Sequence, residues 1–324
     1  MAEWTLSAAL NRALIDAMEE DPRLLVYGED VGRLGGVFRV TDGLQAKFGE
    51  DRVFDTPIAE AGIVGAAIGL ALTGWRSVVE MQFDGFSYPA FEQIVSHLAK
   101  YRTRTRGRVD LPIVIRIPSF GGIRGKEHHG ESPETYFAHT AGLKVVAPSD
   151  ALDGYRLLRL AIADPDPVVF LEPKARYWAK QGGELIVEGP GIGQGRVVRD
   201  GDTCVAFTYG AMVARCLEAA DAMQVEGISV RVVDLRSLAP LDVDLIGRCA
   251  REAGRCVVVH EAPKTLGMGA EVTARIVEEA FDFLQAPIER VTGWDVPYPP
   301  ASLEQLYLPS VERITAAIRR VAAY

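Results

Sequence analysis

Cysteine is scarce. The four in 324 residues include no CxxC pair, so neither a zinc ribbon nor a disulfide framework organises this chain. Cys204, Cys216, Cys249 and Cys256 all fall in the C-terminal half and read as buried thiols. Positive charge is not in excess either. There are 35 Lys and Arg against 44 Asp and Glu, a net charge of −9, which argues against nucleic acid or an anionic membrane as partner of the whole surface. No apolar run reaches the ~20 residues that span a bilayer. There is no N-terminal signal pattern, and the expectation is a cytoplasmic protein. HExxH is missing too, and Glu127-His128-His129 does not replace it, because adjacent residues point in different directions. The run Gly191-Ile192-Gly193-Gln194-Gly195 resembles a dinucleotide fingerprint, yet it neither follows a strand nor opens a helix.

What remains is an ordinary globular composition, 48% hydrophobic and 24% charged, on a chain long enough for two domains. Strand patterns at 24–27, 52–54, 77–81, 111–117, 143–147 and 168–171 alternate with helical patterns at 5–20, 42–49, roughly 86–101 and 150–163. A glycine- and proline-rich stretch within 173–200 loses the periodicity. The alternation resumes with strands at 203–208, 229–234, 255–260 and 288–291 and helices at 211–225, 242–253, 268–284 and 310–322. The fold class expected is therefore α/β, with two domains that are each a mainly parallel sheet covered by helices on both faces. Residues 1–180 form the first domain, 181–200 the linker and 201–324 the second domain.

Open parallel sheets bind ligands outside the carboxyl ends of their strands. In the first domain those ends offer Gly28-Glu29-Asp30, Glu60, the stretch Gln82 to Phe86, and a glycine-rich loop over 118–134 with His128 and His129. Glu60 opens a helix, after Pro57, whose residues Ala61 to Leu72 carry no charge and are expected to be buried all round. Gly62, Gly65, Ala66 and Gly69 share one face of it. Each glycine costs about 1 kcal/mol relative to alanine, so another backbone is expected to come close there. His129 suits proton transfer, since imidazole titrates near neutral pH, but spacing alone equally allows a solvated loop histidine. His97 and His139 read as structural. The basic run Lys100 to Arg108 reads as a capped helix end or a surface for an acidic partner. In the second domain, Asp234 and Arg236 read as an ion pair or turn anchors, and His260 as the end of a buried strand.

The stretches Gly28-Glu29-Asp30-Val31, Gly35-Gly36-Val37-Phe38, Asp55-Thr56-Pro57-Ile58-Ala59-Glu60, Met81-Gln82-Phe83, Ser132-Pro133-Glu134, His139 to Val146, Phe170-Leu171-Glu172-Pro173, Val233-Asp234-Leu235-Arg236 and Pro297-Tyr298-Pro299 are together highly specific. With them the chain resembles, end to end, the beta subunit of the decarboxylating component of thiamine-diphosphate-dependent 2-oxo acid dehydrogenase complexes. The resemblance implies a transketolase-like pyrimidine-binding domain followed by a transketolase C-terminal-like domain. It implies that Glu60 contacts the aminopyrimidine of thiamine diphosphate and favours the imino form whose exocyclic nitrogen removes the thiazolium C2 proton. Ile58, Gln82 and Phe86 match positions that line the pyrimidine pocket, Phe86 standing where some relatives have tyrosine. His129 matches the histidine that assists acyl transfer to the lipoyl group, here followed by Gly130 and Glu131. Some relatives hold a structural potassium ion. The matching positions are Leu111, Ile113, Val114 and Ala161 through their backbone, with Asp164 and Asp166, the last in place of an asparagine and after Pro165.

The Gly-Asp-Gly…Asn motif that holds Mg²⁺ and the diphosphate does not occur in this chain. In the family it belongs to the alpha subunit. The resemblance thus implies half an active site, a heterotetramer of two alpha and two beta chains, and docking to the dihydrolipoyl acyltransferase core and its lipoyl domain. Ser132-Pro133-Glu134 leans towards branched-chain 2-oxo acids, with pyruvate as the alternative and acetoin dehydrogenase further off. Two readings of other kinds, a nucleotide-binding oxidoreductase and a non-catalytic binding subunit, lack a placed GxGxxG and a use for Glu60 respectively.

Overall fold

In the computed structural model, which describes residues 2–324, the hydrophobic alternation resolves into two mainly parallel sheets and a small ribbon. The first sheet has seven strands in the order Ser237–Ala239, Lys144–Val146, Val168–Pro173, Ile113–Ser119, Arg76–Glu80, Leu24–Gly28, Val53–Asp55. All its pairings are parallel except that of Ser237–Ala239, which runs antiparallel to Lys144–Val146. The central strands are buried along their whole length, as expected where helices cover both faces. Helices Leu6–Glu20 and Ala151–Ala163 cover one face, their first turns capped by Thr5 and Asp150. Helix Glu60–Leu72 and the segment 84–104 cover the other.

The second sheet has five strands in the order Glu289–Gly293, Cys256–Pro263, Cys204–Thr208, Val230–Asp234, Arg196–Arg199, the last antiparallel. Helices Met212–Gln224 and Val311–Ala322 pack on one face, and Val243–Ala253 and Met268–Ala280 on the other. One apolar cluster runs from Ile115 and Leu171 of the first sheet to Val205, Phe207 and Val258 of the second. The two halves share a core. No helix among the described residues is long and apolar enough to cross a membrane.

Several expectations need correction. The helix expected over 86–101 is broken into a 3₁₀ stretch at Asp84–Ala90, a π turn at Gln93–His97, a 3₁₀ turn at Leu98–Lys100 and a short α-helix at Tyr101–Arg104. Pro89 lies inside the first piece and removes a donor that an α-helix would use. The glycine-rich stretch 173–200 is not free of structure. Lys180–Gly182 pairs with Glu3–Thr5, and Arg196–Arg199 forms the edge of the second sheet. Helix Glu60–Leu72 is not buried all round in this chain. Ile63, Val64, Ala67, Ile68 and Ala71 face the core, while Ala61, Gly62, Ala66 and Gly69 are exposed. Among the described residues, nothing lies within 4 Å of where a Gly69 side chain would begin, so no backbone of this chain approaches that face.

Asp234 and Arg236 do not pair with each other. Arg236, fully buried, grips Asp153 of helix Ala151–Ala163 at 2.7 Å and donates to the Gln194 carbonyl at 2.6 Å. Asp234 instead accepts from Ser149 at 2.6 Å and from Arg196. Both residues are anchors between the halves.

Candidate active site

The carboxyl ends of strands Leu24–Gly28, Val53–Asp55, Arg76–Glu80 and Ile113–Ser119 lie side by side. The segments that leave these strands gather at that edge. After Val53–Asp55 the chain is tied back to its neighbour: the Thr56 amide donates to the Gly28 carbonyl at 3.0 Å and Asp55 accepts from the Gly32 amide at 2.6 Å. These bonds fix the approach to Glu60, the first residue of its helix, where the orphan amides and the helix dipole favour a negative charge. Glu60 is 8% exposed, whereas Ile58 beside it is 85% exposed. A buried carboxylate therefore sits next to an apolar side chain with nothing of this chain over it.

Glu29 is also buried, and its Oε1 has no hydrogen-bond partner among the described residues. Burial pushes its carboxyl above the usual range, and the charges of Glu60 and Asp30 push it further the same way. Its neighbour Asp30, held at φ 57°, accepts from Gln82 at 2.7 Å. The sequence placed Glu29 at a strand end without distinguishing it; its role depends on the approach of Glu60 from the next strand.

Gln82 leads into Phe83 and Phe86, which meet edge to face at 5.8 Å. His129 lies against both rings, at 4.3 Å from Phe83 and 5.2 Å from Phe86, and its Nδ1 contacts the Glu127 carbonyl at 2.8 Å. A side chain at Gly85 would collide with His128, so this glycine is what lets the loop come down onto the Phe83–Phe86 turn. The structure thus brings Gln82, Phe86 and His129 into one cluster, joined to Glu29 and Glu60 through Asp30. Beneath it lies Asp84, fully buried and ion-paired with Lys174, which also reaches the Pro118 carbonyl at 3.4 Å.

Two carboxyls near the base of the loop are pushed up to about 7, chiefly by burial: Glu134, which accepts from Tyr209 at 2.6 Å, and Glu261 of strand Cys256–Pro263. His97 pairs with Glu92 at 3.0 Å, His139 is exposed beyond helix Glu134–Ala138, and His260 is buried and lowered to about 4 by that burial. None of the three joins the cluster. In the basic run, Arg102 is paired with Asp110 and Asp166.

A buried carboxylate at a helix mouth with a second buried carboxyl after the neighbouring strand, half-buried aromatics and an open side fit the pyrimidine end of thiamine diphosphate. A magnesium site is another matter: among the described residues no three His, Cys, Asp or Glu side chains could hold a metal ion. At the positions matched to potassium, the Leu111 carbonyl already accepts from the Ile113 amide at 2.8 Å, and Ile113 and Val114 are in the sheet. The Ala161 carbonyl accepts from Asp164, Lys144 bridges Asp164 at 2.7 Å and Asp166 at 3.3 Å, and Arg102 takes Asp166 as well. The carboxylates there are neutralised from within the chain, and no step is assigned to an ion at that place.

Comparison with known proteins puts this geometry in context. Residues 2–179 match the family described as "Transketolase, pyrimidine binding domain", and residues 193–314 match "Transketolase, C-terminal domain". A solved structure described as "Split gene transketolase, inactive beta4 tetramer" superposes with a TM-score of 0.79, covering 98% of each chain at 24% identity, a likeness of fold. The matched domains define a protein of the transketolase type, and within it the chain belongs to the beta subunits of 2-oxo acid dehydrogenases. It is 57% identical over 98% of its length to "3-methyl-2-oxobutanoate dehydrogenase subunit beta" of Mycobacterium tuberculosis, 91% of which is covered. It is 51% identical to "Pyruvate dehydrogenase E1 component subunit beta" of Leifsonia xyli, with 98% and 94% covered. It is 42% identical to "2-oxoisovalerate dehydrogenase subunit beta" of Pseudomonas aeruginosa, with 99% and 95% covered.

Proposed function

We propose that this chain supplies the pyrimidine half of a shared thiamine diphosphate site. In that reading it is the beta subunit of a dehydrogenase that decarboxylates a branched-chain 2-oxo acid and passes the acyl group to a lipoyl domain. The single observation that carries the reading is Glu60, a buried carboxylate at the mouth of a helix whose Gly62, Ala66 and Gly69 are exposed. The relatives named for 3-methyl-2-oxobutanoate and 2-oxoisovalerate support the branched-chain substrate.

When bound, thiamine diphosphate supplies the nucleophilic carbon and the electron sink for decarboxylation. The rest falls to side chains. Glu60 holds and returns a proton at the pyrimidine ring nitrogen. Ile58 and Phe86 keep water from the ring, and Gln82 is aimed by its bond to Asp30. Glu29, raised by burial and by the neighbouring Glu60 charge, favours its neutral form beside that carboxylate. His129, braced by Phe83 and Phe86, delivers a proton during acyl transfer.

The alpha chain completes the site in this proposal, holding Mg²⁺ and the diphosphate and covering the Gly62–Gly69 face in a tetramer of two alpha and two beta chains. The division at residues 181–200 and docking of the C-terminal half to an acyltransferase core belong to the same reading. Titration with thiamine diphosphate tests it: binding is expected only when the alpha chain is co-purified, and tight binding to the beta chain alone would sink the shared site. The Leifsonia xyli relative favours pyruvate as the second reading. Decarboxylation rates for pyruvate and 3-methyl-2-oxobutanoate on the reconstituted tetramer decide between the two.

A further inference from the structure

The loop that carries His129 is held in a costly shape. Phe120, Arg124 and His128 all have positive φ, at 73°, 54° and 67°, a region that non-glycine residues enter only where surrounding contacts impose it. The first tie is internal, from the Phe120 amide to the Glu131 carbonyl at 2.9 Å, and closes the loop at its neck. The others come from the C-terminal half.

Glu304, 1% exposed, accepts at 3.1 Å from the Gly122 amide and from the Arg124 amide, flanking the bend at Ile123. Tyr298 donates to the same carboxylate at 2.7 Å. The Tyr298 ring lies between the two limbs of the loop: side chains at Gly121 on one limb and Gly130 on the other would both collide with it. Gly130 directly follows His129. Glu261 adds a bond from the Gly121 amide at 2.8 Å. On the inner side, a side chain at Gly125 would run into His129 itself. The outgoing limb is thus fixed by Glu304, the returning limb by the Tyr298 ring, and His129 lies between them against Phe83 and Phe86.

We propose that Tyr298 and Glu304 form a bracket that positions His129 for acyl transfer. Neither residue touches the site cluster, and both act through the loop backbone. The proposal rests on the reading of His129 as the acyl-transfer group. It goes beyond that reading by giving the C-terminal half a part in the chemistry. A loop with three left-handed non-glycine residues keeps one shape only while its amides are held, and Glu304 holds two of them with one carboxylate. An imidazole displaced by even 1 Å loses on the order of 10²-fold in rate.

The test uses the beta chain assembled with its co-expressed alpha partner and compares His129→Ala, Glu304→Ala, Glu304→Gln and Tyr298→Phe. Two reactions are read: decarboxylation with a dye acceptor, and acylation of a lipoyl domain. Glu304→Ala is expected to lower kcat for acylation by at least about tenfold while the KM for lipoyl domain changes less than about twofold. Decarboxylation should fall several times less. Tyr298→Phe should show the same pattern more weakly. Glu304→Gln keeps the Oε1 acceptor and should restore most of the acylation rate. Trypsin should cut faster after Arg124 and Lys126 in Glu304→Ala. Equal losses in both reactions for Glu304→Ala and Tyr298→Phe, or unchanged cleavage, would overturn the bracket while leaving the role of His129 intact. A uniform loss in His129→Ala would overturn that role, and the bracket with it.

Discussion

The two parallel sheets of this chain use their carboxyl ends differently. The first sheet's edge carries Glu29, Glu60, Gln82, Phe86 and, on its loop, His129. Apart from the two glutamates these side chains are half-buried, and the partners of Gln82 and His129 lie within the first half. The second sheet's edge carries Asp234, Arg236, His260 and Glu261, all buried, and three of the four bond directly into the first half. Topology alone does not make an active site. An edge becomes a joint when its side chains are spent on the other half of the chain, and it stays open to a ligand when they are not.

The comparison can be broken most severely at Glu60. In the chain assembled with its alpha partner, Glu60→Gln is expected to lose about 10²–10⁴-fold in decarboxylation, the range for a proton-transfer group. Assembly, read by gel filtration, should be unchanged. Wild-type turnover would show that the first edge is not where the chemistry lies. The matching change at the joint is Asp153→Ala, which leaves Arg236 buried without its counter-charge. Loss of one partner from such a pair costs about 3–5 kcal/mol. The unfolding midpoint should therefore fall on the order of 10 °C, with decarboxylation by the folded assembly within about twofold of wild type. An unmoved midpoint would deny the joint its role.

A subtler contrast lies in pH. Glu134 is raised from 4.5 to about 7 by burial, with the Tyr209 hydroxyl pulling it down and Asp84 pushing it up. A carboxyl raised in the folded state binds its proton more tightly there than in the unfolded chain. Its contribution to stability is complete below pH 4.5 and lost as pH rises through 7, a loss of roughly 3 kcal/mol at most. Glu134→Gln should therefore gain stability relative to wild type on going from pH 5 to pH 8 in thermal unfolding. A relative loss over that window would mean that the carboxylate, not the acid, is the form the fold prefers. The smallest effect is expected at Gly69, whose face is empty in this chain. Gly69→Ala should stabilise the separate beta chain by up to about 1 kcal/mol in urea unfolding and weaken its association with the alpha chain. Unimpaired association would place the alpha contact elsewhere.

The sheets were legible because strands such as Cys204–Thr208 are short, nearly continuous apolar runs with a glycine close on either side. The helix expected over 86–101 was not, since its apolar spacing continues through Pro89 and conceals the changes of hydrogen-bond period around it. The openness of Gly62, Ala66 and Gly69 was also hidden, because uncharged residues read as buried whichever chain is to bury them. At the site, Glu60, Gln82, Phe86 and His129 stood out through the company of their neighbours in sequence. Glu304 had no such company. Its partners Gly122 and Arg124 lie 182 and 180 residues away, and no local pattern marks a bond of that span. Strand Ser237–Ala239 was missed for the same reason: it is three residues long and pairs with the other half.

That short strand bears on how the protein can be divided. A cut anywhere in 183–195 looks harmless, since it severs no sheet. The N-terminal piece, however, would end its sheet at Lys144–Val146 with unpaired amides and carbonyls, a template for stacking against another copy. The C-terminal piece would carry a loose strand with nothing to join. Hybrids between related subunits joined within 183–195 therefore inherit one sheet from two parents. They will be soluble to the extent that the borrowed edge strand still fits.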